Sequence, residues 1–313
     1  MKIVFFGSAH FAVPALEALI KGKHKISCVV TQPDKKKGRH LHLGVTDVKS
    51  LAAQAGLKVF QPEDVNSLAS VEFLRNLNAD LFVAAAYGQI LAQEVLDIPK
   101  VLPLNIHASL LPKYRGAAPI NWAIIRGDNV SGVTIMRMTK KMDSGPIIMQ
   151  KEIAISDSDD AVSLELRLGD LGAGLLLKSI SAIKNKDYKL ILQDEKKITF
   201  APKLRKTDSC IDWNKPALEI YNLIRGVLPW PGAFTHHKGK LLKIYKAKVI
   251  SSRVYEFAGS RVGQVLNASK EGIAVSAGRD ALIIQELQIE GKRRMPAGEF
   301  IVGHKISPGD KFN

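Results

Sequence analysis

The 313-residue chain is expected to fold as an α/β protein in two parts. The first is an open, Rossmann-like, doubly wound and mostly parallel sheet, and the second a smaller OB-like β-barrel, of oligonucleotide-binding type. Three observations predict this. Strand and helix signals alternate through the first half with short connections, the pattern of repeated βα units. The strand segment at 81–86 is apolar throughout, as a strand covered on both faces must be. The last third instead holds five short strand signals with glycines in the turns between them, the pattern of a small antiparallel barrel.

The elements follow in order. Residues 2–6 form a strand and 13–20 an amphipathic helix opened by Pro14, whose fixed φ suits a first helical turn. Residues 26–31 are a second strand, 45–55 a second helix, 58–60 a short strand, 68–77 a helix, 81–86 a strand and 104–107 another. Ligands in such sheets bind beyond the carboxyl ends of the strands. His107 lies at one of those ends. The first βα turn, Gly7-Ser8-Ala9-His10-Phe11-Ala12-Val13-Pro14, lacks the GxGxxG spacing that brings a dinucleotide pyrophosphate onto the backbone. That argues against a nicotinamide-dependent dehydrogenase.

From Gly132 the pattern changes. Residues 133–138 and 146–153 read as two strands joined by a loop holding Asp143, Ser144 and Gly145, a hairpin added to the sheet. Residues 163–184 are a long helix, apolar at Leu164, Leu168, Leu171, Leu175, Ile180 and Ile183. A polar, lysine-rich stretch at 189–207 reads as a linker that wraps a surface. It separates a catalytic domain at 1–188 from a second domain at 208–313. That domain opens with a helix at 217–225, and its strands are 232–236, 240–247, 263–268, 272–276 and 281–288. Trp213 and Trp230 read as its core anchors.

Composition narrows the partners. The net charge of +15 raises self-repulsion without helping folding, and favours a polyanionic partner. It is spread along the chain: residues 207–313 carry 16 Lys and Arg against 10 Asp and Glu, and the rest 29 against 20. A lysine-rich proteome is the plainer explanation of the same figure. No segment approaches the ~18 uninterrupted apolar residues of a membrane span. The start lacks the charged and apolar regions of a signal peptide. A cytoplasmic protein without membrane contact is expected. Cys28 and Cys210 lie far apart with no CxxC context, which argues for reduced thiols and against a zinc site.

The chemistry is concentrated in two segments. In Leu104-Asn105-Ile106-His107 the period of a strand puts Asn105 and His107 on one face. Asp143 adds a carboxylate. An amide that holds a carbonyl oxygen, beside an imidazole that moves a proton, is equipment for acyl transfer. No serine or cysteine nucleophile is needed if the acceptor supplies its own. The plainer alternatives are a turn cap for Asn105 and an Asx turn for Asp143. A basic run, Lys35-Lys36-Lys37-Gly38-Arg39-His40, follows the turn Thr31-Gln32-Pro33-Asp34 at the end of the second strand. It is either a solvated loop or, by its place beside the site, a nucleic-acid contact.

These residues resemble the methionyl-tRNA formyltransferase family over essentially the whole chain. The matching segments are 5–16, 31–34 with the basic loop, 85–91, 105–120, 132–145, Ile211-Asp212-Trp213, and 225–231. Ala108 departs from the Gly of many members. The Asn-x-His with Ser-Leu-Leu-Pro-x-x-Arg-Gly is common to folate-dependent formyltransferases, whereas the second domain and the basic loop point to the tRNA-using branch. The resemblance implies the formyltransferase fold followed by the barrel. It also implies transfer of the formyl group of 10-formyltetrahydrofolate to the α-amine of initiator methionyl-tRNA. Tetrahydrofolate would be released, no metal would be used, and the protein would act as a monomer.

By motif position, Asn105, His107 and Asp143 would be catalytic. Tyr87, Gly88, Gln89, Ile90 and Leu91 would line the pterin slot, and Ser109, Leu110, Leu111 and Pro112 the folate-side loop. Core packing is an equal reading for Leu110 and Leu111, and Arg115 either fixes the loop or touches ligand. Lys35, Lys36, Lys37 and Arg39 would contact tRNA, as would Lys203, Arg205 and Lys206 in the linker and Lys243, Lys246 and Lys248 in the barrel. A formyltransferase acting on a small amine or a sugar nucleotide would share the catalytic residues, without needing the basic loop or the basic second domain. Intact Asn105, His107 and Asp143 argue against an RNA-binding protein with a dead enzyme domain.

Overall fold

In the computed structural model, which describes residues 1–37, 42–251 and 261–313, the first two-thirds of the chain alternate as the sequence predicts. The elements are β1 (Lys2–Gly7), α1 (Val13–Lys21), β2 (Lys25–Val30), β3 (Lys35–Lys37), β4 (His42–Gly44), α2 (Asp47–Gln54), β5 (Val59–Phe60), α3 (Leu68–Asn76) and β6 (Leu81–Ala85). There follow α4 (Gln93–Leu96), β7 (Leu102–His107), α5 (Pro119–Ile125), β8 (Val130–Arg137), β9 (Ile147–Ala154) and α6 (Ala161–Lys184). Seven strands make one sheet in the order β5-β2-β1-β6-β7-β8-β9. The first five run parallel, β8 is antiparallel to β7, and β9 is antiparallel to β8. The chain winds outward from β1 to one edge and then returns to build the other wing from β6. The carboxyl ends of β1, β6 and β7 therefore border the crevice where such sheets bind ligands.

The strands are parallel because neither face is solvated. Ile3, Val4, Phe5 and Phe6 in β1, and Leu81, Phe82 and Val83 in β6, are fully buried. Phe6 packs against Phe82 at 5.0 Å and edge-on against Tyr87 at 5.5 Å. On the sheet's other face, α6 approaches closely at Gly172, where a Cβ would lie 3.0 Å from Ile106. Thr46 and Ser67 cap α2 and α3, each accepting a backbone N–H three residues on. The first βα turn substitutes a side chain for the missing glycines. Ser8 Oγ donates to the Tyr87 carbonyl at 2.9 Å and accepts the Gln32 N–H at 3.0 Å, tying together the ends of β1, β2 and β6.

By packing, residues Met1–Pro119, Val130–Ala154 and Glu165–Pro202 form one unit. Ile120–Asn129, Ile155–Leu164 and Lys203–Asn313 form the other. The second unit contains α7 (Ala217–Gly226), β10 (Ala233–His237), β11 (Lys240–Ile250), β12 (Val265–Ser269), β13 (Gly272–Ser276), β14 (Ala281–Ile289), β15 (Met295–Pro296) and α8 (Ala297–Gly303). Its antiparallel strands follow the order β10-β11-β14-β13-β12, with β15 on β14. The C-terminal residues join the two edges. Phe312 and Asn313 pair with His237 and His236 of β10, and Lys311 bridges Gln264 beside β12. Phe312, almost fully buried, packs on Trp213 at 5.9 Å and edge-on against His237 at 5.3 Å. On α7, Arg225 donates to the Ser156 and Asp159 carbonyls, and Tyr221 Oη to the Asp157 carbonyl. The Gly226 carbonyl accepts from Asn121, so α7 gathers the two early segments into this unit.

Two expectations are corrected. Trp213 is an anchor, 4% exposed with its indole N–H donating to Thr235 Oγ1, but Trp230 is 51% exposed and anchors nothing. Flanked by Pro229 and Pro231 in a turn, it has no strand or helix to carry its ring inward. The basic run is not wholly loop: Lys35–Lys37 pairs antiparallel with His42–Gly44. Phe312→Ala should cost the barrel about 3–5 kcal/mol, the usual cost of emptying an aromatic core position. Denaturant unfolding followed by Trp213 fluorescence checks it, and a midpoint equal to wild type would mean that the seam contributes nothing.

Candidate active site

At the end of β7, Asn105 sits between Ala84 of β6 and Met136 of β8, and His107 is paired with Thr134. Strand period places both side chains on one face. Asp143 reaches them from the β8–β9 loop. Its backbone is left-handed, at φ 49°, a conformation that Asp tolerates better than most residues. Gly145 finishes the turn where a Cβ would lie 1.9 Å from the Arg137 carbonyl oxygen.

One carboxylate oxygen collects the site. Asp143 Oδ1 lies 3.5 Å from Asn105 Nδ2 and 3.6 Å from His107 Nδ1. Asp143 Oδ2 accepts the Gly116 N–H at 2.9 Å. The two side chains are 7% and 11% exposed, which keeps bulk water from screening the pair. His107 Nε2 lies 3.0 Å from the Tyr114 carbonyl oxygen. A carbonyl only accepts, so Nε2 carries the proton, and Nδ1 is the nitrogen that can gain or lose one at the site. With both nitrogens protonated, the ring donates to Tyr114 and faces the Asp143 carboxylate with Nδ1–H.

The loop after β7 is held by side chains that sequence reading missed. Thr134 Oγ1 donates to the Ser109 carbonyl at 2.6 Å and accepts the Leu111 N–H at 3.1 Å. Gln150 Nε2 donates to the Leu111 carbonyl and to Thr134 Oγ1, each at 2.8 Å. Ser109 Oγ donates to the Lys113 carbonyl. Leu110 packs on Gly132, and Leu111 joins Met136 and Ile147 in a small apolar cluster ahead of Pro112. Residues 199–201 then run beside the loop. Thr199 Oγ1 accepts the Tyr114 N–H, the Thr199 carbonyl accepts the Arg115 N–H, and the Arg115 carbonyl accepts the Ala201 N–H. Buried Arg115 turns away from the carboxylate toward Gln193, so it fixes the loop. The available signal was a guanidinium inside an apolar motif, which must find an acceptor.

Residues 87–91 follow β6. The Tyr87 ring is buried, and that burial, helped by the Asp64 charge, pushes its phenol well above the usual range. Gly88 has φ 93°. Gln89 turns its amide to Val65, Pro62 and Glu63, Ile90 is exposed with its carbonyl held by Asn66, and Leu91 is buried. Gln89 is therefore a strut for the 62–65 loop.

The basic residues differ in setting. Lys35 is exposed beside Gln32, the backbones of Lys36 and Lys37 are in the β3–β4 ladder, and Arg39 lies outside the described residues. The ladder's base is anchored at Asp34, whose carboxylate accepts from Lys49 Nζ and from Gln61 at 2.9 Å. Lys203, Arg205 and Lys206 are exposed, with Arg205 paired to Asp208 at 3.2 Å. On β11, Lys246 and Lys248 face solvent, whereas Lys243 Nζ donates to the Pro231 carbonyl. Among the described residues no helix is long and apolar enough to cross a membrane.

A doubly wound sheet that delivers an amide, an imidazole and a carboxylate to the end of its fifth parallel strand defines a class of acyl-transfer enzyme. Comparison with known proteins narrows the class. The formyl transferase family model matches residues 1–180, and the formyl transferase C-terminal domain model matches residues 203–305. The methionyl-tRNA formyltransferase of Caldanaerobacter subterraneus is 46% identical, and that of Acetivibrio thermocellus 43%, each over 99% of both chains. A Helicobacter canadensis N-formyltransferase superposes with a TM-score of 0.68 at 21% identity, over 91% of this chain and 98% of that one. The methionyl-tRNA formyltransferase from Clostridium thermocellum superposes at 0.56 and 14%, over 80% and 94%. At such identities these two likenesses establish the shared fold. The chain belongs to the methionyl-tRNA formyltransferase family.

The Asp34 anchor yields a pH test. Hydrogen bonds from Lys49 and then Gln61 hold the Asp34 carboxyl below its usual range. A depressed carboxyl contributes stability above its unfolded pKa and loses it as pH falls through the folded value. Lys49→Met should therefore lower the melting temperature at neutral pH, and the gap to wild type should begin to close below about pH 4. Melting curves across that range check it, and a constant gap would exclude the ion pair as its source.

Proposed function

We propose that the chain transfers the formyl group of 10-formyltetrahydrofolate to the α-amino group of initiator methionyl-tRNA, releasing tetrahydrofolate. The observation that carries this reading is the convergence of Asn105 and His107 on one oxygen of Asp143, in a chain 40–46% identical over nearly its full length to methionyl-tRNA formyltransferases. In this reading the catalytic work belongs to residues 1–188, and residues 208–313, reached through the 189–207 linker, add tRNA contacts. The protein acts as a cytoplasmic monomer.

The residues divide the reaction among them. The neutral α-amine attacks the formyl carbon and its lone pair becomes the new C–N bond. The carbonyl electron pair moves to oxygen, where the Asn105 amide N–H and the protonated His107 ring stabilise it. The amine nitrogen sheds a proton as the bond to the donor nitrogen breaks, and the departing nitrogen takes one up. The charged ring gives its Nδ1 proton to the departing nitrogen and then takes the amine's proton at the same atom, and Asp143 stabilises the ring while it is charged. The acceptor is its own nucleophile, so no covalent enzyme intermediate forms. Backbone groups of Gly88, Gln89 and Leu91 read the amide-like edge of the pterin, between the Tyr87 and Ile90 carbonyls already bonded to Ser8 and Asn66. The loop from Ser109 to Pro112 forms the other wall.

The charge of +15 favours tRNA over a small amine as acceptor. Lys35, Lys36 and Lys37, with Arg39 of the same basic run, address the acceptor end. Lys203, Arg205, Lys206, Lys243, Lys246 and Lys248 meet phosphates, Lys243 while also donating to the Pro231 carbonyl.

Two measurements test this. His107→Ala should lower kcat for charged initiator tRNA by about 10²–10⁴, the usual worth of a positioned acid–base group, and leave folate affinity almost unchanged. Near-wild-type turnover would remove His107 from the mechanism. Lys246→Glu with Lys248→Glu should flatten the dependence of log tRNA affinity on log salt, because each lost phosphate contact releases one fewer counterion. A slope equal to wild type would place β11 outside the footprint, and equal formylation of tRNA-free amines would point to a small-amine acceptor.

A further inference from the structure

The Asp143 carboxylate serves His107 only if a left-handed backbone is held in place, and the residue doing so lies far away in sequence. Gln193 Nε2 donates to the Asp143 carbonyl at 2.9 Å and to the Gly145 carbonyl at 2.7 Å, spanning the turn. Its Oε1 accepts from Arg115 Nε at 3.0 Å and from Nη2 at 2.7 Å. The amide thus has both donor hydrogens and its oxygen engaged. Arg115 also sets its polarity. A guanidinium only donates, so the oxygen must face it, and the NH₂ must face the two carbonyls. Arg115 stands between Tyr114, whose carbonyl fixes the proton on His107 Nε2, and Gly116, whose N–H holds Asp143 Oδ2. Three consecutive residues therefore set the imidazole, the loop and the carboxylate.

We propose that Arg115 and Gln193 are positioning residues that hold Asp143 in register with His107. The inference rests on Asp143 acting in the reaction as described above. Both act through Asp143, and neither touches the reacting groups.

The test is a double-mutant cycle in the full-length protein, with formyl transfer to charged initiator tRNA as the assay. Gln193→Ala should lower kcat on the order of 10- to 100-fold, the scale of a displacement near 1 Å, with KM for each substrate within about twofold of wild type. Gln193→Glu keeps a partner for Arg115 but cannot donate to the carbonyls, so it should lose as much. It also carries the test if the alanine variant melts too low to assay. Arg115→Lys should fall between wild type and Gln193→Ala, since one donor to Oε1 survives. The combination Asp143→Asn with Gln193→Ala should be no slower than Asp143→Asn alone, because groups acting as one unit are not additive. Wild-type kcat in Gln193→Glu, multiplicative losses in the double variant, or a loss confined to KM would each overturn the inference. Full activity in Asp143→Asn would instead overturn the role of Asp143, a distinct result.

Discussion

The site depends on a short parallel pairing between the loop after β7 and residues 199–201. Without it, residues 112–118 would be a long loop free to rearrange. With it, the Arg115 N–H and carbonyl and the Tyr114 N–H are all engaged on one side. The Tyr114 carbonyl and the Gly116 N–H are thereby left pointing at the site. Gly116 is needed for that approach: its φ is 127°, and a Cβ there would lie 2.5 Å from the Ala201 carbonyl oxygen. A backbone contact made far from the chemistry in sequence decides which imidazole nitrogen is available and where the carboxylate points.

The geometry also explains why two of the three candidate site side chains sit on a strand and the third on a turn. Asn105 and His107 need fixed directions, which a strand in the middle of a sheet supplies, with β6 on one side and β8 on the other. Asp143 must lean over their ends, and a strand residue cannot. A left-handed residue in the β8–β9 turn can, at a strain cost that hydrogen bonds to its carbonyl and its carboxylate offset. The long contacts of 3.5 and 3.6 Å are of the kind that tighten when a substrate fills a site.

How legible all this was in the sequence followed from the range of each interaction. The parallel strands were readable because burial on both faces removes the polar alternation, as in Leu81–Ala85. Asn105 and His107 were readable because they lie two positions apart on one strand. Asp143 came from the family motif, since in isolation an Asp beside Ser and Gly reads as a turn. Thr134, Gln150, Gln193 and Thr199 were not readable, because their partners depend on tertiary packing; Arg115 and Gln193 are 78 residues apart. Gln193 in particular lies in a lysine-rich stretch with no periodicity. Charge misled at Lys35–Lys37, where three lysines hide a strand, and an aromatic misled at Trp230, where hydrophobicity suggested burial and a proline-flanked turn prevented it.

The second packing unit is assembled from three stretches of chain, two of which are embedded in the first half of the sequence. Ala123 and Ile124 are buried there, and Arg225 and Tyr221 hold the segment from Ser156 to Asp159. The barrel is consequently not a module that recombination can exchange by a single crossover near residue 203. A foreign barrel would arrive without the helix and the turn that this α7 grips. It would inherit ones shaped for a different helix. Shuffling within this fold therefore has to proceed by coordinated drift at three places, which ties the histories of the two units together.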